Sequence, residues 1–268
     1  MTMDDDGAQF TMNKSEQVAR LLLDRIIESD LRPGSSIGTE AELLDLFRVS
    51  RPTLRESLRI LESQGLLTLR PGPKGGILVA KPSIDVLAHT LSVLLRVNNI
   101  PFSEILRARM AIEPALVRDA ALYGTDDDFS EMEQTIKRLE AAGDDGQAIY
   151  RENREFHNII ARAARNPVLE VFWSTIRILA SGEGTGLRYS ARNRAHIISS
   201  HKRILNALRG RKPQEAEKYI MEHLKELEDL LKVRHKEQLG KPARIAFRPN
   251  PSVGTGGPLL PALPRTQS

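Results

Sequence analysis

Residues 39–80 decide the fold and read TEAELLDLFRVSRPTLRESLRILESQGLLTLRPGPKGGILVA. Thr39 and Glu42 have the spacing of a helix capping box, in which each side chain bonds the backbone N–H of the other residue. Ser50 is a second N-cap candidate, and Pro52 falls in the first turn of the following helix, where a missing N–H costs little. The stretch therefore predicts two short helices that are separated by a tight break.

The second of these helices has two different flanks. Its leucines recur at i, i+4 and i+7, the spacing of a buried stripe: Leu54, Leu58 and Leu61. Its arginines recur every four residues on a flank that lies about a quarter-turn away: Arg51, Arg55 and Arg59. One flank would dock into a core while the other shows three guanidiniums. A helix with solvated arginines and no ligand is the alternative interpretation.

A small hairpin follows this helix. Gly65 predicts the helix end, and residues 66–70 and 77–80 are β-prone runs around a turn rich in Pro and Gly. Two short helices and a hairpin predict a winged helix-turn-helix, whose second helix fits a DNA major groove about 12 Å wide. In the wing, Lys74 and two bare glycines can bring the backbone close to a phosphate or to the floor of the minor groove.

Composition narrows the class of protein. The chain has 268 residues, enough for two domains, and no cysteine, which excludes disulfides and thiolate zinc sites. It shows no run of about 18 apolar residues and no signal peptide, so we expect a cytoplasmic protein without a membrane segment. The net charge of +4 equals that of the last 30 residues, which hold four basic and no acidic side chains. DNA binding would therefore depend on local clusters of charge.

The breaker residues predict a mainly α chain, in which an N-terminal winged helix-turn-helix is joined to an all-α helical bundle. Residues 1–13 are expected to be flexible, residues 14–81 to form the DNA-binding domain, and residues 239–268 to be a disordered tail rich in Pro and Gly. Residues 84–238 would form the bundle, which binds an effector and dimerises. Its predicted helices are 84–97, 102–123, 125–142, 146–165, 167–181, 191–209 and 213–237.

Three histidines of this bundle have suggestive settings. His157, His201 and His223 lie on three different predicted helices, and Asn153 shares a helix face with His157 at i, i+4 spacing. Three imidazoles that meet in a bundle core could hold a divalent metal. The alternative is that each histidine is separately exposed or hydrogen-bonded.

Arg109 and Glu113 form another i, i+4 pair. By default such a pair is a weak ion pair within one helix. The functional alternative is that Arg109 points into a cavity and binds a carboxylate in bidentate fashion.

A family resemblance adds to these patterns. SRPTLRESL at 50–58 and LESQGLL at 61–67 closely resemble the signature of GntR-family bacterial transcription regulators. Phe156-His157, His201 and the MEHL sequence at 221–224 resemble the FadR subfamily, whose C-terminal effector-binding domain is called FCD. The likeness spans about residues 15–237.

The resemblance implies DNA contacts. Arg51 and Arg55 would contact the major groove, and Gly72 would approach the minor groove. The other expected DNA-binding residues are Ser50, Thr53, Arg59 and Lys74. Many relatives carry a DNA-contacting arginine where this chain has Ala41, a departure that bears on the operator sequence.

The resemblance also implies a metal site formed by an aspartate and three histidines. His157, His201 and His223 match the histidines, while Asn153 stands at the aspartate position. Because an amide is a neutral and weaker ligand, three outcomes stay open: weak metal binding, completion of the ligand set by an anionic effector with help from Arg109, or no metal. Zinc or nickel suits the imidazoles best.

Taken together, these features predict a regulator and not an enzyme. It would be a homodimer on a palindromic operator of double-stranded DNA, controlled by a small carboxylate effector. The alternatives are a metal-dependent enzyme that uses the three histidines, and a dimeric DNA-binding protein that takes no ligand.

Overall fold

A computed structural model describes residues 12–70, 76–81, 83–180, 191–234 and 239. The chain divides into two compact units between Ser83 and Ile84. The first unit contains α1 Lys14–Glu28, β1 Ser36–Gly38, α2 Glu40–Phe47, α3 Arg51–Ser63, β2 Leu67–Arg70 and β3 Gly76–Val79. The second contains α4 Ile84–Val97, α5 Phe102–Tyr123, α6 Asp126–Ala141, α7 Gly146–Ala163, α8 Pro167–Ala180, α9 Ala191–Arg209 and α10 Pro213–Arg234. The predicted fold class is confirmed.

The predicted caps set the ends of α2 and α3. Thr39 and Glu42 form the capping box, and the Ser50 side chain accepts from the backbone N–H of Thr53. Arg48 closes the break between the helices in the left-handed conformation, with φ of 48°. Gly65, with φ of +72°, ends α3. The next N–H, that of Leu66, returns to the Leu61 carbonyl, as in a Schellman motif.

The predicted leucine stripe of α3 lies in the core of the first unit. Leu54, Leu58 and Leu61 are buried, together with apolar residues of α1, α2 and the strands. The buried Ser57 hydroxyl donates to the Ser15 carbonyl at 2.8 Å, which ties α3 to α1. The arginine flank of α3 is therefore carried by a helix that is fixed on its other side.

The hairpin forms as predicted, and a third strand joins it. β3 lies between β1 and β2 and pairs antiparallel with both. The sequence did not indicate β1, because it is three residues long and holds one apolar side chain, Ile37. The turn that contains Gly72 and Lys74 lies outside the described residues.

The described elements of the second unit are all helices. α5 packs on α10, α6 on α7 and α9, and α9 on α10. The largest core cluster draws on these five helices and on Trp173 of α8. Within the described part of the chain, no helix is both long and apolar enough to span a bilayer.

The structure describes one residue at each predicted outer domain limit. Asn13 is the N-cap of α1 and forms a capping box with Glu16. Leu239 is buried and joins a cluster with Phe102 and Leu106 of α5. Residues 1–11, 235–238 and 240–268 lie outside the described residues.

Candidate functional sites

The three arginines of α3 share one exposed flank. The side chains of Arg51, Arg55 and Arg59 are 72%, 62% and 73% exposed. Since the leucine flank of the same helix is buried, the helix cannot rotate to hide these guanidiniums without losing its core contacts. The geometry leaves them available to an anionic surface.

A carboxylate lies beside two of these arginines. The Arg55 Nε donates to Glu40 Oε1 at 3.1 Å, and its Nη2 donates to Glu40 Oε2 at 3.4 Å. The Nη1 of Arg51 lies 3.9 Å from the same Oε1. Among the described residues, the ion-pair partner of Arg59 is Glu56 of its own helix, at 4.0 Å. Sequence reasoning missed Glu40, because this pair joins two helices and depends on the angle between them.

Ser50 and Thr53, two further predicted DNA-binding residues, lie at the start of α3. Their hydroxyl oxygens are 2.8 Å apart, and the Ser50 oxygen also accepts from the Thr53 backbone N–H at 3.3 Å. These contacts cap the helix. They hold both hydroxyls at the start of α3, where Arg51 also lies.

The three predicted histidines meet in the second unit. His157 of α7, His201 of α9 and His223 of α10 are buried, and one ring nitrogen of each lies within 4.8 Å of the others. The Nε2 atoms of His157 and His223 are 3.3 Å apart. The alternative of three separate histidines is therefore wrong.

Burial and the neighbouring histidines favour the neutral form of His201 and His223. Neither ring nitrogen of His201 has a hydrogen-bond partner among the described residues, and neither has the buried Asn153 Oδ1. Burial, followed by the neighbouring His223 and His157, lowers the pKa of His201 well below its usual value. Burial and then His157 lower the pKa of His223 to about 3. Because neutral imidazole is the form that binds metals, this donor set fits a zinc- or nickel-type ion.

The carboxylate of Glu113 contacts the histidine cluster through His157. Glu113 Oε2 lies 2.5 Å from His157 Nδ1, while Glu113 Oε1 accepts from Arg109 Nε at 2.8 Å. Burial alone would raise the pKa of Glu113, but Arg109 and then His157 lower it to about 2. An ionised carboxylate favours the proton on Nδ1, which leaves the Nε2 lone pair of His157 facing the other histidines.

Arg109 takes part in a buried network. Its side chain is 12% exposed, and its guanidinium lies 5.3 Å from the ring centre of Trp173. It also lines a small cleft between α5 and α10, beside Met110 and Leu224. The sequence predicted the pair with Glu113 but missed the second contact of Glu113, with His157, because 44 residues separate the two.

Two family models match the chain. The model described as bacterial regulatory proteins, gntR family, matches residues 14–79, and that of the FCD domain matches residues 104–226. An uncharacterized HTH-type transcriptional regulator of Bacillus subtilis, YcbG, is 33% identical over 225 residues, which are 82% of this chain and 91% of that protein. The HTH-type transcriptional repressor NanR of Klebsiella aerogenes is 27% identical over 216 residues, 79% of this chain and 82% of its own.

A solved structure shares the fold. The Streptococcus agalactiae GntR structure superposes with a TM-score of 0.58 at 23% identity. The match covers 80% of this chain and 99% of that one.

Proposed function

Because the chain belongs to the GntR family of bacterial transcription regulators and carries a C-terminal FCD domain, we propose which residues read its operator and which hold its effector. The α3 arginines would contact the DNA, and a small carboxylate would bind at the three-histidine centre and change operator affinity. The exposed arginine flank supports the first assignment. The second rests on the three buried histidines, of which His201 has no hydrogen-bond partner for either ring nitrogen among the described residues.

The DNA-binding assignment follows from the chemistry of guanidinium. Arginine donates in bidentate fashion to guanine in the major groove and pairs with phosphate. Arg51, Arg55 and Arg59 share one exposed flank of α3. Ser50 and Thr53 lie beside them and would contact the backbone of the same groove, and Gly72 and Lys74 of the wing would follow the neighbouring strand. A palindromic operator fits a homodimer with two-fold symmetry, and such a regulator would act in the cytoplasm.

The metal assignment uses four side chains. His157, His201 and His223 would supply nitrogens and Asn153 a neutral amide oxygen, a set that suits zinc or nickel. When bound, the ion would supply a positive charge that anchors a carboxylate. Since none of the four ligands is anionic, the full charge of the ion would remain for the effector, with Arg109 close by.

The first experiment is a gel shift with Arg55→Ala, on an operator selected with the parent protein from random-sequence DNA. We expect specific retention to be lost while size-exclusion chromatography still shows the dimer. Arg209→Ala removes the same charge from α9, where Arg209 pairs with Glu133 at 3.2 Å, and should bind like the parent. If Arg55→Ala keeps parental retention, the assignment of the recognition helix is wrong.

A metal-dependent enzyme remains the competing hypothesis for the histidine centre. The relatives described above are named as transcription regulators. Zinc binding without turnover, on a panel of esters and phosphoesters, would support the regulator, and turnover that stops on chelation would support the enzyme.

A further inference from the structure

Trp173 of α8 carries a hydrogen-bond donor that is buried in the bundle. The residue is 2% exposed, and its indole Nε1 has no hydrogen-bond partner among the described residues. An indole N–H can donate but cannot accept. A buried donor that lacks an acceptor is unfavourable, so such groups are usually satisfied. A ligand oxygen would supply the missing acceptor.

Two neighbours place this donor beside the three-histidine centre. The Trp173 ring centre lies 6.1 Å from that of His157, and the guanidinium carbon of Arg109 lies over the same ring, 5.3 Å from its centre. Glu113 joins these two neighbours, because one of its carboxylate oxygens accepts from Arg109 and the other contacts His157. Trp173 therefore lies next to a predicted metal ligand and to the predicted effector-binding arginine.

The other unpartnered polar atoms of the centre are of the opposite kind. Asn153 Oδ1 and both ring nitrogens of His201 are buried and have no hydrogen-bond partner within the described part of the chain. An amide oxygen and a neutral imidazole nitrogen each offer a lone pair to a cation, whereas the indole nitrogen of Trp173 offers a proton. A metal ion alone could not satisfy Trp173. The centre therefore provides for a cation and, next to it, for a hydrogen-bond acceptor.

Arg109 brings further donors to the same place. It lines the small cleft between α5 and α10, and its Nε donates to Glu113. Its two terminal nitrogens lie outside that bond and can bind another carboxylate. The guanidinium carbon of Arg109 and the ring centre of Trp173 are 5.3 Å apart. One carboxylate can span a separation of this size, with a hydrogen bond of about 2.9 Å to each residue.

We propose that the indole N–H of Trp173 donates to an oxygen of the effector carboxylate, beside Arg109. This inference rests on the proposed function, because it concerns the effector of the three-histidine centre. It adds an uncharged donor to the predicted effector site, and it defines the ligand as an acid whose carboxylate is free to accept hydrogen bonds. An effector that reached Arg109 alone would leave the indole donor unsatisfied.

The test removes this donor and keeps the shape of the ring. Benzothienylalanine has a sulfur atom in place of the indole N–H, and amber suppression places it at position 173 of the full chain. Cobalt(II), a coloured substitute for zinc, is loaded into the protein, and its visible absorption is titrated with acetate and with succinate as separate probes. This absorption does not depend on tryptophan, so the parent and the variant can be compared directly.

For the parent we expect a saturable change in the cobalt spectrum with at least one probe, and a rise in Tm at saturation. The benzothienylalanine protein should bind that probe about tenfold or more weakly, as the loss of a hydrogen bond to a charged group implies. Trp173→Phe should show the same loss. Phe172→Leu is the matched control, because it changes the neighbouring aromatic residue of α8, which is 53% exposed. Its probe affinity should equal the parental value.

Measurements without a probe separate a binding role from a structural one. Because the indole does not ligate the ion, the benzothienylalanine protein should match the parent in its cobalt Kd, measured by chelator competition, and in its probe-free spectrum. A change in the packing of the site would alter both. The Tm without a probe should not fall, since a buried donor without an acceptor has been removed.

Three results would overturn the contact of Trp173: a benzothienylalanine protein that binds the probe as tightly as the parent, a loss of probe affinity matched by an equal loss of cobalt affinity, or a parent whose spectrum responds to neither probe. Operator retention of the parent is measured in a gel shift with and without each probe. If the probe changes retention but the variant binds it like the parent, the contact fails and the proposed function stands. If the variant binds the probe weakly but the probe leaves retention unchanged, the contact stands and the proposed control by a carboxylate fails.

Discussion

Replacing Glu113 with glutamine tests the network behind the histidine centre. Glu113→Gln keeps the shape of the side chain and removes its charge. Arg109 would then be a nearly buried cation without a counterion, and the His157 Nδ1 would lose its carboxylate partner. We expect lower stability and weaker metal binding from this one change.

The size of the stability effect follows from burial. The side chains of Arg109 and Glu113 are 12% and 4% exposed, so solvent hardly screens their interaction. Removing one partner of a buried ion pair costs about 3–5 kcal/mol. Because the glutamine carbonyl can still accept from Arg109, the lower value of about 3 kcal/mol is expected. A domain of this size loses about 2–4 °C of Tm per kcal/mol, which gives a fall of about 6–12 °C.

The assays are a thermal unfolding scan and a zinc titration against a chromophoric chelator. Loss of the carboxylate that orients a ligating histidine should weaken zinc about 10- to 100-fold. The double variant Arg109→Met/Glu113→Gln is the control: most of the Tm should return, because no unpaired charge remains, while zinc should still bind weakly. A Glu113→Gln protein with a Tm within about 2 °C of the parent would refute the buried pair, and an unchanged zinc Kd would refute the orienting role.

Three further changes test other parts of the molecule. Asn153→Asp adds a negative ligand and should tighten zinc about tenfold or more; a parental Kd in chelator competition would show that this side chain does not face the ion. Glu40→Gln frees Arg55 and removes a negative charge from the surface proposed to face DNA, so the affinity for random-sequence DNA should rise about fivefold. Fluorescence anisotropy should then show a lower ratio of specific to non-specific binding, and weaker non-specific binding would contradict the prediction. Gly124→Ala would place a Cβ 2.5 Å from a backbone oxygen of α5 and should lower Tm by at least about 2 °C, whereas Gly76→Ala, where a Cβ meets nothing within 4 Å, should leave Tm unchanged.

Local signals of the sequence were sufficient for most of the helices. Thr39, Ser50 and Gly65 each set a helix end through contacts within a few residues, so their roles can be predicted from neighbours alone. The leucine stripe of α3 was predictable because a helix brings i, i+4 and i+7 to one side. β1 was missed because its partner β3 lies about 40 residues further along the chain, and three residues carry no periodicity.

The residues of the candidate sites also divide into those that local sequence patterns predict and those whose contacts depend on helix packing. The three histidines could be grouped because each lies on a different predicted helix of one bundle, and the resemblance then implied the same three as metal ligands. The contacts of Glu40 with Arg55 and of Glu113 with His157 cross between helices. Their distances depend on helix packing, which no local spacing reports.

The carboxylate that lies between Arg51 and Arg55 also affects how such a protein would find its target. A genome offers on the order of 10⁶–10⁹ competing sites, and each unproductive encounter occupies the molecule for some time. Glu40 repels phosphates where the guanidiniums make no base contacts, so the residence time on unrelated DNA sequence would be short. A single acidic residue at the start of α2 would thus speed the search for the operator by shortening each non-specific binding event.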